Sequence, residues 1–161
     1  MLTGHERNAG QLTALLAAYR QAHPDDPNLP AWDLEVTWLH KDYGAAWKLL
    51  AEHRDGLLAR PPFRWKRDDY LVRCLVKLNK GAEAVREAEA VVKNGQGNPV
   101  LLVLAHAARG GAREAVAAVE QLPPGRARPE DFYRDPDLGP IVRSESFKAF
   151  REKFPEPKEQ R

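Results

Sequence analysis

The chain is poor in the groups that do covalent chemistry. Of its 161 residues one is cysteine, Cys74, so no internal disulfide framework is available and a cytoplasmic setting is the expectation. Cys74 falls on an apolar helical stripe, which reads as a small buried hydrophobe rather than a nucleophile. Ser144 and Ser146 are its only serines, and no histidine adjoins them, so a structural or capping role is expected. Long apolar runs are missing as well. The longest of any weight, Val100 to Ala105, is far short of the ~20 residues that cross a bilayer. The opening MLTGHERNAG has no apolar core of the kind a secretory signal needs. A net charge of +2 is too small by itself to imply a polyanionic partner. A soluble protein without a membrane partner is expected.

Metal, cofactor and catalytic sites find equally little material. The histidines His5, His23, His40, His53 and His106 never stand three or four residues apart, the spacing that places two ligands on one helical face. Asp135-Pro136-Asp137-Leu138-Gly139 begins like a calcium loop. That loop needs glycine in sixth place and glutamate in twelfth, where this chain has Pro140 and Ser146. Gly95-Gln96-Gly97 lacks the third glycine and the preceding strand of a dinucleotide site. No cofactor, no metal and no enzymatic activity are therefore expected.

What the chain does have is helical periodicity, at 43% hydrophobic and 30% charged residues. The clearest stretch runs from Asp69 to Val92. Tyr70, Leu71, Cys74, Leu75 and Leu78 share one helical face, and after a hinge at Asn79-Lys80-Gly81 a second face is made by Ala84, Val85, Ala88, Val91 and Val92. Two amphipathic helices joined by so short a turn fold back antiparallel. Before them, Leu12, Leu15, Leu16 and Tyr19 mark a helix over 11–22, ended by His23-Pro24. A helix from Pro30 to Lys41 has two stripes, Trp32, Val36 and Leu39 against Leu34 and Trp38, and is expected to be sandwiched. After Asp42-Tyr43-Gly44, Ala46, Leu49, Leu50, Leu57 and Leu58 carry a helical period toward Arg60, with Gly56 as a candidate break and Pro61-Pro62 as an extended link.

Beyond the glycine-rich loop of residues 94–97, Asn98 and Pro99 open an apolar helix, Val100 to Ala108, that must be covered on most sides. Gly110-Gly111 then turns into a helix over 112–121. Residues 123–143, rich in proline, are expected to be mostly irregular. A final helix from Ser144 to Phe154, with Phe147, Phe150 and Phe154 on one face, is expected to cap the array. The expected organisation is a flexible start over 1–10, helical repeats over 11–122, an irregular segment with a capping helix over 123–154, and a frayed tail over 155–161.

The turns at Gly44, Gly81 and Gly111 recur at steps of 37 and 30 residues, and small alanines follow them at Ala46, Ala84 and Ala115. Those steps bracket the period of about 34 of tetratricopeptide units. In these features residues 11–122 resemble a degenerate tetratricopeptide repeat protein, as one half unit and three helix pairs. The closing run from Asp135 to Phe150 is similar to the terminal piece that follows such arrays in bacterial members. The resemblance implies an all-α, right-handed α-solenoid of antiparallel helix pairs, with a groove for a partner segment. Family members that clamp an acidic carboxy-terminal peptide use lysine, asparagine and arginine on the groove-facing helices. Here the matching places hold Leu34 and Trp38, Arg73 and Lys77, and Leu102 and His106, so the full clamp is absent.

The expected function is a non-enzymatic interaction module or scaffold that binds a protein or peptide segment, an acidic one being a candidate. Trp38, Arg73, Lys77 and His106 are the expected contacts. An alternative is binding of RNA or single-stranded nucleic acid by residues 60–80. There Arg60, Arg64, Lys66, Arg67, Arg73, Lys77 and Lys80 are interleaved with Phe63, Trp65 and Tyr70, as on surfaces that stack bases and neutralise phosphates. The blander reading, a solvated helix exterior with its aromatics turned inward, is preferred, and nucleic acid is not the expected partner. A third reading is an all-helical accessory segment of a longer enzyme.

Overall fold

The computed structural model describes residues 4–61, 63–93 and 97–157, the first four by backbone alone. Among these the chain is all-helical, and it divides into two compact units, Met1–Leu78 and Asn79–Arg161. No helix among them is long and apolar enough to cross a membrane.

The first unit holds α1 (Gly4–Ala22), α2 (Leu29–Leu39), α3 (Tyr43–His53) and α4 (Arg64–Lys77). Helix α1 begins at Gly4 rather than Gln11, because residues 4–10 contain no proline and only the modest helix penalty of glycine opposes propagation. It stops where expected, with the His23 amide bonded to the Tyr19 carbonyl at 2.8 Å ahead of Pro24. Helix α2 packs between α1 and α3, although Trp32 at the start of one of its two stripes stays exposed, and α3 packs on α4. Their shared core is built from Ala31, Leu34, Ala46, Leu50, Leu58 and Leu71, with Cys74 fully enclosed.

Helix α3 ends at His53, well before Arg60. Gly56 takes a ψ of −111° that no helix accommodates, and a short 3-10 turn at Leu57–Ala59 carries Leu57 and Leu58 into the core instead. Arg60 is extended ahead of Pro61, as the clash of a proline ring with the preceding residue demands.

The second unit holds α5 (Gly81–Lys93), α6 (Val100–Ala108), α7 (Ala112–Glu120), α8 (Pro129–Arg134), α9 (Leu138–Arg143) and α10 (Lys148–Lys153). The apolar α6 is enclosed by α5, α7 and α9, with Val103, Leu104 and Ala105 wholly buried. Helices α8 and α9 lie where an irregular passage was expected. Prolines permit them because each sits in a first turn, where the missing N–H has no intrahelical partner. Asp131 accepts the backbone N–H of Arg128 at 2.9 Å to start α8. Asp135 accepts those of Asp137 and Leu138 at 3.0 and 2.9 Å to start α9. The stretch that begins like a calcium loop is thus a helix start. Gly139 is obligatory there, since a Cβ would lie 2.7 Å from the Tyr133 carbonyl oxygen. The closing helix α10 begins at Lys148 rather than at Ser144, after a 3-10 turn at Glu145–Phe147. Phe150 and Phe154 pack with Phe132 at ring separations of 5.2 to 6.3 Å.

The repeated turns share one local geometry. Lys41, Asn79 and Gly110 have φ of 59°, 57° and 76°, and two residues after each a helix begins, at Tyr43, Gly81 and Ala112. Three residues further stand Ala46, Ala84 and Ala115, each with no exposed surface. In two of these turns the amide after the left-handed residue bonds five residues back, Asp42 to Thr37 at 2.9 Å and Gly111 to His106 at 3.1 Å, which closes the helix end with its carbonyls satisfied. Of the three expected helix pairs, α2 with α3 and α6 with α7 pack within a unit. The boundary between units passes between α4 and α5. Most of the loop 94–97 and the end of the tail lie outside the described residues.

Candidate functional site

Three of the expected contacts belong to the first unit and His106 to the second. Trp38 of α2 lies against Tyr70 of α4, ring centroids 4.1 Å apart and planes within 8°, and meets Tyr43 edge-on at 5.4 Å. Lys77 holds its ammonium 6.0 Å from the centre of the same Tyr43 ring. Trp38 and Lys77 therefore share a neighbour. Arg73 was expected to lie off the apolar stripe and to face a partner. It is buried at 7% exposure, with its Nε 2.9 Å from Asp69. Its long apolar stem and the carboxylate one turn away make that burial tolerable. His106 is half-buried, and burial lowers its pKa against the opposing pull of Glu89 and Glu114.

The basic stretch is largely neutralised within the fold. Lys66 pairs with Glu35 at 2.6 Å, Arg67 with Asp68 at 2.6 Å, and Lys80 with Glu83 at 3.8 Å, besides the Arg73 pair. Tyr70 donates to Glu35 at 3.1 Å, and Phe63 packs on the core. Only Trp65 of the three interleaved aromatics stays open to solvent, 65% exposed.

A different surface is left apolar. On α2, α4 and the turn before α4, a cavity of about 160 Å³ is lined by Ala31, Leu34, Leu58 and Phe63, with Trp32, Trp65 and the Glu35–Lys66 pair at its edge. Trp32 also walls a second hollow of about 310 Å³, made with Leu12, Leu15, Leu16 and Tyr19 of α1. Large apolar side chains remain exposed along this line: Leu15, Tyr19, Trp32 and Trp65. Exposed apolar side chains beside hollows of this kind make this the candidate site. Periodicity placed Leu15 and Trp32 on helix faces correctly. It carried no signal that those faces stay uncovered.

Burial pushes the Cys74 thiol up to about 12, which keeps it protonated and inert. Ser144 donates to the Ile141 carbonyl at 2.6 Å and touches Ser146 at 3.0 Å, closing the end of α9. Among the described residues, no group of three or more histidine, cysteine or acidic side chains is placed to hold a metal ion.

No protein-family model, curated protein or solved structure matches this chain.

Proposed function

We propose that this protein is a non-enzymatic interaction module, a tetratricopeptide-like array that binds a protein segment through a large apolar side chain. The carrying observation is the cavity of about 160 Å³ bordered by the exposed Trp32 and Trp65. A cavity of roughly 150 Å³ holds a benzene-sized group, so one phenylalanine or leucine of a partner fills it. Tryptophan at the edge of a pocket is the residue type that most often dominates such binding. The recurring left-handed turns and buried alanines support the repeat reading, with the right-handed solenoid as its expected global form.

Because Lys66 and Arg67 at the cavity already meet Glu35 and Asp68, the apolar anchor carries this recognition and acidic flanks modulate it. The same neutralisation weighs against phosphate binding, which needs cations that can release counterions. Selection of binders from a random peptide library tests the reading. The expected result is a set of peptides sharing one large apolar residue, whose affinity falls at least about tenfold on Trp65→Ala, a loss of ~1.4 kcal/mol. Failure to select any peptide, or affinities indifferent to Trp65→Ala and Trp32→Ala, overturns it.

A further inference from the structure

The face of α1 is a second surface, which adjoins the first at Trp32. From Asn8 to Tyr19 the helix has no charged residue over twelve positions, in a chain where 30% of residues are charged. Thr13, Ala14, Leu15, Ala17 and Ala18 on this run are exposed. Leu15 stands out at 67% exposure, directly beside the hollow of about 310 Å³ that it forms with Leu12, Leu16, Tyr19 and Trp32. Arg20, which ends the uncharged run, is engaged by Asp33 of α2. Thr13 gives its hydroxyl proton to the Ala9 carbonyl at 2.9 Å, so it accepts from Nε2–H of His40 at 2.8 Å. The polar groups bordering the face are thereby satisfied inside the unit.

On the run itself a charged partner finds no charge to pair with, since the nearest ones, Asp26 and the Arg20–Asp33 pair, are engaged inside the unit, and losing its water would cost it free energy. A second copy of the same face meets no such opposition. In a two-fold interface each residue near the axis confronts its own copy, so any charge there opposes a like charge. A projecting leucine beside a hollow also meets the self-complementarity such an interface demands. With the axis next to Leu15, the leucine of each copy enters the hollow of the other. Antiparallel α1 helices additionally set the start of each against the end of its partner, the favourable arrangement of their dipoles.

We infer that the α1 face joins two copies of this chain in a reversible two-fold dimer, with Leu15 beside the axis and the hollow bounded by Trp32 receiving the leucine of the other copy. One helix and its flanking tryptophan are at the small end of specific interfaces, ~600 Å² per partner, so the dimer forms and dissociates with concentration.

Sedimentation equilibrium of the full chain, from low micromolar to submillimolar concentration, tests this. A mass rising toward twice that of the monomer is expected. Leu15→Glu should weaken the dimer at least about a hundredfold, because two carboxylates then face each other across the axis. At so exposed a position the fold is retained, as circular dichroism would show. A second variant reads the geometry directly. Since Cys74 is enclosed, the thiol introduced by Leu15→Cys is the accessible one, and mild oxidation should link two chains through it. A monomer at every concentration, a dimer indifferent to Leu15→Glu, or absence of the linked species overturns the inference. None of these outcomes depends on the peptide cavity, which Trp65→Ala tests separately.

Discussion

Trp38 lies flat on Tyr70, their planes within 8° and centroids 4.1 Å apart, and so ties α2 to α4, two helices that are not neighbours in sequence. The Tyr70 hydroxyl, held by Glu35 at 3.1 Å, fixes the ring from its other end. A double-mutant cycle of Trp38→Ala and Tyr70→Ala, followed by chemical denaturation, should return a coupling of about 1 kcal/mol. Tyr70→Phe alone should cost about 1 kcal/mol through the lost bond to a carboxylate. Additive effects of the two alanine changes would show that the stacking contributes nothing beyond burial.

Cys74 is a reporter of opening. The thiol is enclosed between α4 and the core of the first unit, with its pKa pushed up to about 12 by burial. Disulfide-exchange reagents should therefore leave the native protein unmodified at neutral pH and label it only at the rate at which the unit opens. Adding denaturant below the unfolding midpoint should accelerate labelling in proportion. Fast labelling in buffer alone would place the thiol at the surface.

The left-handed turns give a prediction of two signs. Lys41 bears a side chain at a φ of 59°, and Gly110 bears none at 76°. Lys41→Gly should stabilise the protein by a few tenths to about 1 kcal/mol, the relief of a Cβ clash less the extra freedom of glycine in the unfolded chain. Gly110→Ala should destabilise it by about 1 kcal/mol. Denaturation midpoints of the two variants moving in the same direction would contradict the shared geometry.

His106 makes stability fall on the acid side of neutrality. Burial depresses its pKa below the ordinary 6.5, so the unfolded chain binds the proton more readily than the folded one. Its contribution is complete above pH 6.5 and is lost as pH falls toward the folded value. Thermal unfolding followed between pH 7.5 and 5 should show a slope that His106→Gln reduces. An unchanged slope in the variant would assign the acid sensitivity to the carboxylates, whose losses lie lower. Asp26 and Asp131 are among them, each held below the usual range by hydrogen bonds from Asn28 and Arg128.

Sequence reading and structure part company at identifiable places. The approximate places of the three turns and the alanines behind them are legible because they depend on a few adjacent residues, although Gly44 and Gly81, which mark two of the turns in the sequence, lie within α3 and at the start of α5. Residues 123–143 are harder, since their prolines signal irregularity until one sees that Pro129 and Pro140 lie in the first turns of α8 and α9. There the decisive groups, Asp131 and Asp135, act on backbone amides within three residues, so the signal was present but outweighed by proline content. Arg73 was misplaced for a different reason. Charge argues for solvent, and only the packed unit shows its stem enclosed and its head met by Asp69.

From the amino-acid order alone follow the helical class, most helix positions and the repetition of turn and alanine, because periodicity and φ preferences are local properties. Tertiary structure alone decided that Leu16 is buried while its neighbour Leu15 is not, that Trp38 is stacked while Trp32 and Trp65 stand open, and that the basic stretch is met by Glu35, Asp68 and Asp69. Exposure is a property of what lies across the gap between helices. A one-dimensional pattern defines a face, and only the neighbour that covers it, or fails to, turns that face into core or into a binding surface.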